Sequence, residues 1–156
     1  MVILEQVIFV VPVLALAASI TYYAMAIRNQ NKTRQTQLFL QLYNRLTDKQ
    51  FYDEYIKERE QEWTDLDDYI EKYGVGPSLF SLYLEGVGLM VKNGQIDIQL
   101  VDDLMSSLVI GYWRSHGELN LEMRKRMNLP QIAEWTEYLY NEIIKVAKHE
   151  HPELIQ

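Results

Sequence analysis

The sequence predicts an all-α protein: one N-terminal transmembrane helix continuing into a small cytoplasmic helical bundle. Three observations carry that reading. Apolar residues recur at spacings of three and four through nearly every segment after residue 37. Asp, Thr and Gly stand where helices would start and stop. Strand signals are nearly absent, since the alternating QIDIQL (95–100) lies between a helix stop at Asn93–Gly94 and a helix start at Asp97.

The first element is VIFVVPVLALAASITYYAMAI (7–27), which carries no charge. At about 1.5 Å per residue it spans about 31 Å, close to a hydrocarbon core of roughly 30 Å. Pro12 sits near its start, where a missing N–H costs least, and Tyr22 and Tyr23 fall near the far interface. A cleaved signal peptide would want positive charge ahead of the run and a small-residue cleavage site after it. The leader MVILEQ carries only Glu5, and the Ala15–Ala18 cluster lies mid-run. Arg28, Lys32 and Arg34 follow at once and set the topology. By the positive-inside rule the N-terminus is outside and the remainder lies on the cytoplasmic side of the cell membrane. The lack of cysteine fits a reducing compartment. Ala15 and Ser19 would allow two such helices to approach closely.

Residues 28–37 read as a polar helical neck, and 38–156 as one cytoplasmic helical domain. Nothing between Ile27 and Leu46 breaks a helix, so anchor, neck and the stripe Leu38, Phe39, Leu42, Tyr43, Leu46 form one helix of about 40 residues. Asp48 caps a short helix carrying Phe51, Tyr55 and Ile56. Thr64 caps a further one that stops at Gly74. In LFSLYLEGVGLMVK only Ser81, Glu85, Gly88 and Lys92, in line with Ser78, share a narrow polar strip. That helix reads as surrounded, with Gly86 and Gly88 marking close backbone approach. Asp97 caps a helix through Val101, Leu104, Met105, Leu108 and Tyr112 that ends near Gly117. LNLEMRKRM forms a separate helix, and Pro130 opens the last one, with the stripe Ile132, Trp135, Leu139, Ile143, Val146.

Charge limits the partners. The chain has 15 Lys+Arg and 22 Asp+Glu; setting aside the three basic and one acidic residues of the first 34 leaves 12 against 21, a net of −9. That excess disfavours nucleic acid and argues against base stacking by the tyrosines and tryptophans. Arg124, Lys125 and Arg126 sit beside Glu118 and Glu122 and read as a solvated helix face, with lipid heads as the other reading.

Signatures of catalysis are sparse. Glu85 is the one carboxylate inside an apolar helix. It reads either as a proton acceptor or as a structural group paired with Arg59 or Arg114. Among His116, His149 and His151 no metal-binding spacing exists, because the HEH pair points to different sides of a helix. The acids Asp65, Asp67, Asp68 and Glu71 lack the calcium-loop spacing. No phosphate loop or nucleophile elbow is present, so no metal and no cofactor is expected. On the 98–116 helix, Ile110 and Trp113 fall toward Asp102, Asp103, Ser106 and Arg114. Ile110, Trp113 and Arg114 are therefore either covered within the domain or a surface for a partner.

LYLEGVGLMVKNGQIDIQLVDDLMSSLVIGYW and the later LEMRKR, following a membrane helix and a polar neck, resemble a prokaryotic family of small membrane-anchored helical proteins catalogued as a domain of unknown function. The likeness covers roughly residues 10–127. Its most specific residues are Glu85-Gly86-Val87-Gly88, Gly94, Ile96-Asp97 and Tyr112-Trp113. The resemblance implies an archaeal or bacterial source and no particular activity. The leading functional reading is a non-catalytic interaction or scaffold module held at the membrane. It would touch the lipid bilayer through 7–27 and a protein partner or a second copy through its domain. The alternative is a tethered enzyme using Glu85 with a nearby Arg or His.

Overall fold

Four successive helices begin at an Asp or Ser whose side chain takes up a backbone N–H of the first turn. Asp48 accepts from Phe51 to open α2 (Lys49–Arg59), and Asp65 accepts from Asp68 to open α3 (Leu66–Tyr73). Ser78 accepts from Ser81 to open α4 (Leu79–Lys92), and Asp97 accepts from Gln99 to open α5 (Ile98–Met127). Such caps satisfy donors that the helix itself cannot, typically for about 1 kcal/mol each. The cap of α3 is Asp65, not the expected Thr64. Thr64 instead donates its own N–H to the Asp68 carboxylate, 2.9 Å away. Gly74 (φ 83°) and Gly94 (φ 64°) take positive-φ positions just after α3 and α4.

These elements come from a computed structural model that describes residues 2–150, with side chains described from 14 to 148. His149, His151, Pro12 and the 7–13 part of the uncharged run lie outside the described side chains. α1 (Val2–Leu46) precedes the four capped helices and α6 (Glu134–Glu150) follows them, so the described chain is all-α, without strands. Two compact units divide it, Met1–Leu38 and Phe39–Gln156. Among the described residues no helix is long and apolar enough to cross a membrane, so the expected spanning helix has no support there. In the first unit the hydroxyls of Ser19 and Thr21 donate to the carbonyls of Ala15 and Ala17, each at 2.8 Å.

In the second unit the core is made by Phe51, Phe80, Leu84, Val87, Val101, Met105, Val109, Tyr112, Leu139 and Ile143. A satellite cluster of Leu66, Tyr69, Leu119 and Met123 holds α3 on the second half of α5. α5 does not stop at Gly117. It runs 30 residues with one kink at Met105 (φ −146°, ψ 17°), so LNLEMRKRM is its C-terminal half. Gly117 has another role: the Trp113 ring lies where a Cβ would project, 3.1 Å from it. Beyond the kink the buried stripe is Val109, Tyr112, His116 and Leu119, while Leu104 and Leu108 are only half-buried. Pro130 does not open α6 either; it sits in a turn, and the helix begins four residues later.

α4 differs most from its sequence reading. The strip Ser81–Glu85–Gly88–Lys92 is not an outer edge but the side turned to α6. Ser81 and Gly88 are buried, Glu85 bonds the start of α6, and the Lys92 ammonium lies 5.0 Å from the Tyr138 ring centroid. Another side of α4 is exposed, with Leu79, Leu82 and Leu89 at 55%, 50% and 41%. Of the two glycines expected at a close approach, Gly88 meets one and Gly86 does not, since nothing lies within 4 Å of where the Gly86 Cβ would be. A Cβ on Gly88 would sit 2.6 Å from the Trp135 carbonyl carbon.

The two glycines therefore respond oppositely to substitution. Gly86→Ala should stabilise by up to about 1 kcal/mol through helix propensity alone. Gly88→Ala should cost on the order of 1–3 kcal/mol, because α6 must move away. Urea unfolding of both variants checks this, and a Gly88→Ala protein as stable as its parent would refute the contact.

Candidate functional site

α6 starts without a cap of its own. The residue before it is Ala133, in a left-handed conformation (φ 52°), whose carbonyl already accepts from Glu137 N. Alanine has no oxygen to offer the first-turn donors, and Glu85 of α4 supplies both of its oxygens instead. Oε1 accepts from Thr136 N at 2.8 Å and from the Thr136 hydroxyl at 2.7 Å, while Oε2 accepts from Trp135 N at 3.4 Å. A carboxylate at a helix N-terminus is also favoured by the helix dipole. Its partner is thus neither Arg59 nor Arg114. Both oxygens hold structural hydrogen bonds, which leaves little of this carboxylate for chemistry.

The pairing of carboxylate and imidazole occurs elsewhere, at Glu58 and His116. Phe51 packs against Phe80 and Tyr83, with centroids 5.7 and 4.7 Å apart. Glu58 lies two helical turns further along α2 and follows Phe51 into the core. His116 is one turn beyond Tyr112 on the buried stripe of α5, and the two rings stack at 4.6 Å, 7° from parallel. Both groups are almost fully covered, Glu58 5% and His116 2% exposed. Glu58 Oε1 and His116 Nε2 stand 3.7 Å apart, beyond a direct hydrogen bond. Trp63, from the α2–α3 connection, packs over the imidazole with centroids 4.7 Å apart.

The neighbours of the other ring nitrogen favour one tautomer. Ser115 Oγ lies 2.7 Å from His116 Nδ1 and also 3.0 Å from the carbonyls of Gly111 and Tyr112. A hydroxyl has one proton, and a carbonyl can only accept. The natural arrangement has Ser115 donating to a carbonyl and Nδ1–H donating to Oγ and to the Tyr112 carbonyl. Nε2 is left with a bare lone pair toward Glu58, and it has no hydrogen-bond partner.

Burial governs the ionisation of both groups. It pushes the His116 pKa down to about 4, against a smaller upward pull from the Tyr112 carbonyl. It pushes Glu58 up, opposed by a hydrogen bond from Ser78 and reinforced by the charge of Glu54. Tyr112 rises well above the usual phenol range for the same reason, and Tyr69 rises to about 12. Cavities flank the pair. One, of about 60 Å³, is lined by Glu58, Tyr69, Ser81, Tyr112, His116 and Asn120, with Gly76 and Pro77 at its exposed rim. The other, of about 110 Å³, is bounded by Tyr55, Arg59, Gly111 and Ser115.

Sequence reasoning passed over Glu58 and weighed His116 only as a metal ligand. The available signal was the seven-residue spacing from Phe51 to Glu58. Among the described residues no group of three or more His, Cys, Asp or Glu could hold a metal ion. The remaining site candidates are less concentrated. Ile110 and Trp113 are half-buried and Arg114 is exposed; Trp113 stacks on Tyr140 of α6 with centroids 5.8 Å apart. The basic cluster is not merely a solvated face. Arg124 bonds the Ile132 carbonyl and Glu137, and Arg126 pairs with Asp67 of α3.

A family model described as "Domain of unknown function (DUF4760)" matches residues 10–143, and the chain belongs to that family. The match runs beyond residue 127 into α6 and so takes in Trp135 and Thr136, the partners of Glu85. No curated protein and no solved structure matches the chain.

The buried pair gives stability opposing pH limbs. An unfolded His binds its proton near pH 6.5 and His116 only near 4, so its contribution is full above about 6.5 and is lost as pH falls toward 4. Glu58, raised from 4.5, contributes below about 4.5 and loses that contribution as pH rises through its folded value. Glu58→Gln removes the second limb alone. Its stability relative to the parent should climb as pH rises above 4.5 in urea melts. A constant gap across that range would mean that burial does not raise Glu58.

Proposed function

We propose that this protein is a membrane-anchored helical interaction module. α1 would enter the bilayer through residues 7–27, and the helical domain would stand at the cytoplasmic face to hold a protein partner or a second copy. The observation that carries the anchor is the apolar surface of α1. Leu14, Leu16, Ile20, Met25 and Ile27 are each more than half exposed within the chain, and residues 7–13 extend the same uncharged run. A helix of this composition leaves water by entering lipid or by meeting another apolar surface. The return of the Ser19 and Thr21 hydroxyls to backbone carbonyls of their own helix suits a lipid environment, where unpaired donors are costly. Arg28, Lys32 and Arg34 set the orientation, with the N-terminus outside, and the source is a prokaryote.

Leu79, Leu82 and Leu89 form the outward row on α4 and offer the larger apolar contact for a partner. Ile110, Trp113 and Arg114 are a smaller one, because Tyr140 already covers part of the indole. The tethered-enzyme alternative rested on Glu85, and it weakens because that carboxylate caps α6.

Two experiments test the reading. The full-length chain should stay with the membrane fraction through an alkaline carbonate wash, whereas a chain lacking residues 2–27 should not. A reporter fused after Gln156 should be cytoplasmic. Release of the full-length protein by carbonate, or digestion of the domain by protease outside intact cells, would sink the anchor. Separately, Leu82→Glu should lower the association state in mild detergent or abolish partner capture, with the melting temperature nearly unchanged because the side chain is half exposed. An unaltered association state would remove α4 as the contact surface.

A further inference from the structure

The outward row of α4 reads the same in both directions. Leu79, Leu82, Gly86 and Leu89 follow one another at intervals of three, four and three residues, the seam spacing of two packed helices. All three leucines are exposed. Nothing lies within 4 Å of where a Gly86 Cβ would project, so the row has an open notch between its leucines. The two charged side chains of α4 are turned away from it: Glu85 caps α6, and the Lys92 ammonium lies over the Tyr138 ring. The row is thus uncharged, in a chain whose residues beyond 34 carry a net of −9.

We infer that this row is a homodimer seam, in which α4 of one copy packs antiparallel on α4 of a second. About a two-fold axis level with Leu84, Leu82 of each copy meets the Gly86 notch of the other, and Leu79 meets Leu89. The interval pattern is its own reverse, so one surface serves both partners and no second kind of protein is required. Charge complementarity agrees. Antiparallel packing sets the positive N-terminal end of each α4 beside the negative C-terminal end of its partner, whereas parallel packing would set like ends together. A face rich in carboxylates would repel its own copy, and this one brings none to the contact, because Glu85 is held by α6. The row has four residues, against roughly 20–30 a side for a stable free interface. Pairing therefore needs the local concentration that two chains gain in one bilayer, and in this it rests on the anchor proposed above.

The chain has no cysteine, so introduced thiols can map the pairing. Full-length Leu79→Cys and Leu89→Cys chains, co-expressed with different tags, should be joined to each other by a short bismaleimide in a fresh lysate, and the product should stay with the membrane through a carbonate wash. Either variant alone should give little product. In the antiparallel pair the two copies of residue 79 stand about 15 Å apart along the axis, beyond the reach of the linker. Adding Leu82→Glu to both chains should abolish the mixed product, with the melting temperature nearly unchanged because that side chain is half exposed. Leu79→Cys cross-linking by itself as readily as in the mixture overturns the antiparallel seam, and so does a mixed product that survives Leu82→Glu. Absence of mixed product among chains that remain with the carbonate-washed membrane also overturns it, while leaving the anchor standing. Release of the chains by carbonate sinks the anchor, and with it the pairing that depends on a shared bilayer.

Discussion

The packing of the domain depends on one carboxylate at the start of another helix. α6 follows an alanine whose side chain cannot cap it, so the N–H groups of Trp135 and Thr136 would be left without acceptors, a cost of about 1–3 kcal/mol per buried group. Glu85 supplies the acceptors from α4, and this fixes where α6 begins. The rest of the seam follows at helical spacing. Gly88, three residues on, leaves room for the Trp135 carbonyl, and Lys92, four further, reaches the Tyr138 ring. With α6 seated there, Leu139 and Ile143 become fully buried, Tyr140 meets Trp113 of α5, and Glu137 with the Ile132 carbonyl meets Arg124. Ile132 and Ala133 then close one wall of the polar chamber.

That chamber is the second constraint, and it acts against stability. An apolar pair of similar volume in place of Glu58 and His116 would remove two desolvation penalties. The fold keeps them, surrounded by Tyr69, Tyr112 and Asn120, with Trp63 laid across the imidazole. Both groups are pressed toward their neutral forms, so each is sensitive to whatever charge or donor reaches it. Glu85, by contrast, looks exceptional in sequence and is structural in fact. An acid in an apolar helix draws attention, but its hydrogen bonds show what it does.

Much of the domain was legible from spacing and capping chemistry, because those are local. Asp48 and Asp97 announce α2 and α5, Gly74 and Asn93–Gly94 close α3 and α4, and the 3.6-residue period shows that no strand competes. The uncharged run of α1 is likewise a property of consecutive residues. What the sequence could not decide was which neighbour each face meets. The strip of Ser81, Glu85, Gly88 and Lys92 is polar by composition, and a polar strip ordinarily faces water. Here it is inside, because its polar atoms and its missing Cβ match the start of α6, some 50 residues further on. Gly117, read as a stop, continues α5, because a glycine pressed beneath an indole is fixed by packing rather than by its own conformational freedom. Glu58 and His116 lie 58 residues apart, and no local pattern links them. By itself the sequence determined the helices, most of their ends and the anchor-like run. Only tertiary structure decided that Glu85 is a cap and that Glu58 and His116 form the buried pair, because hydrogen bonding and desolvation depend on neighbours that only folding brings together.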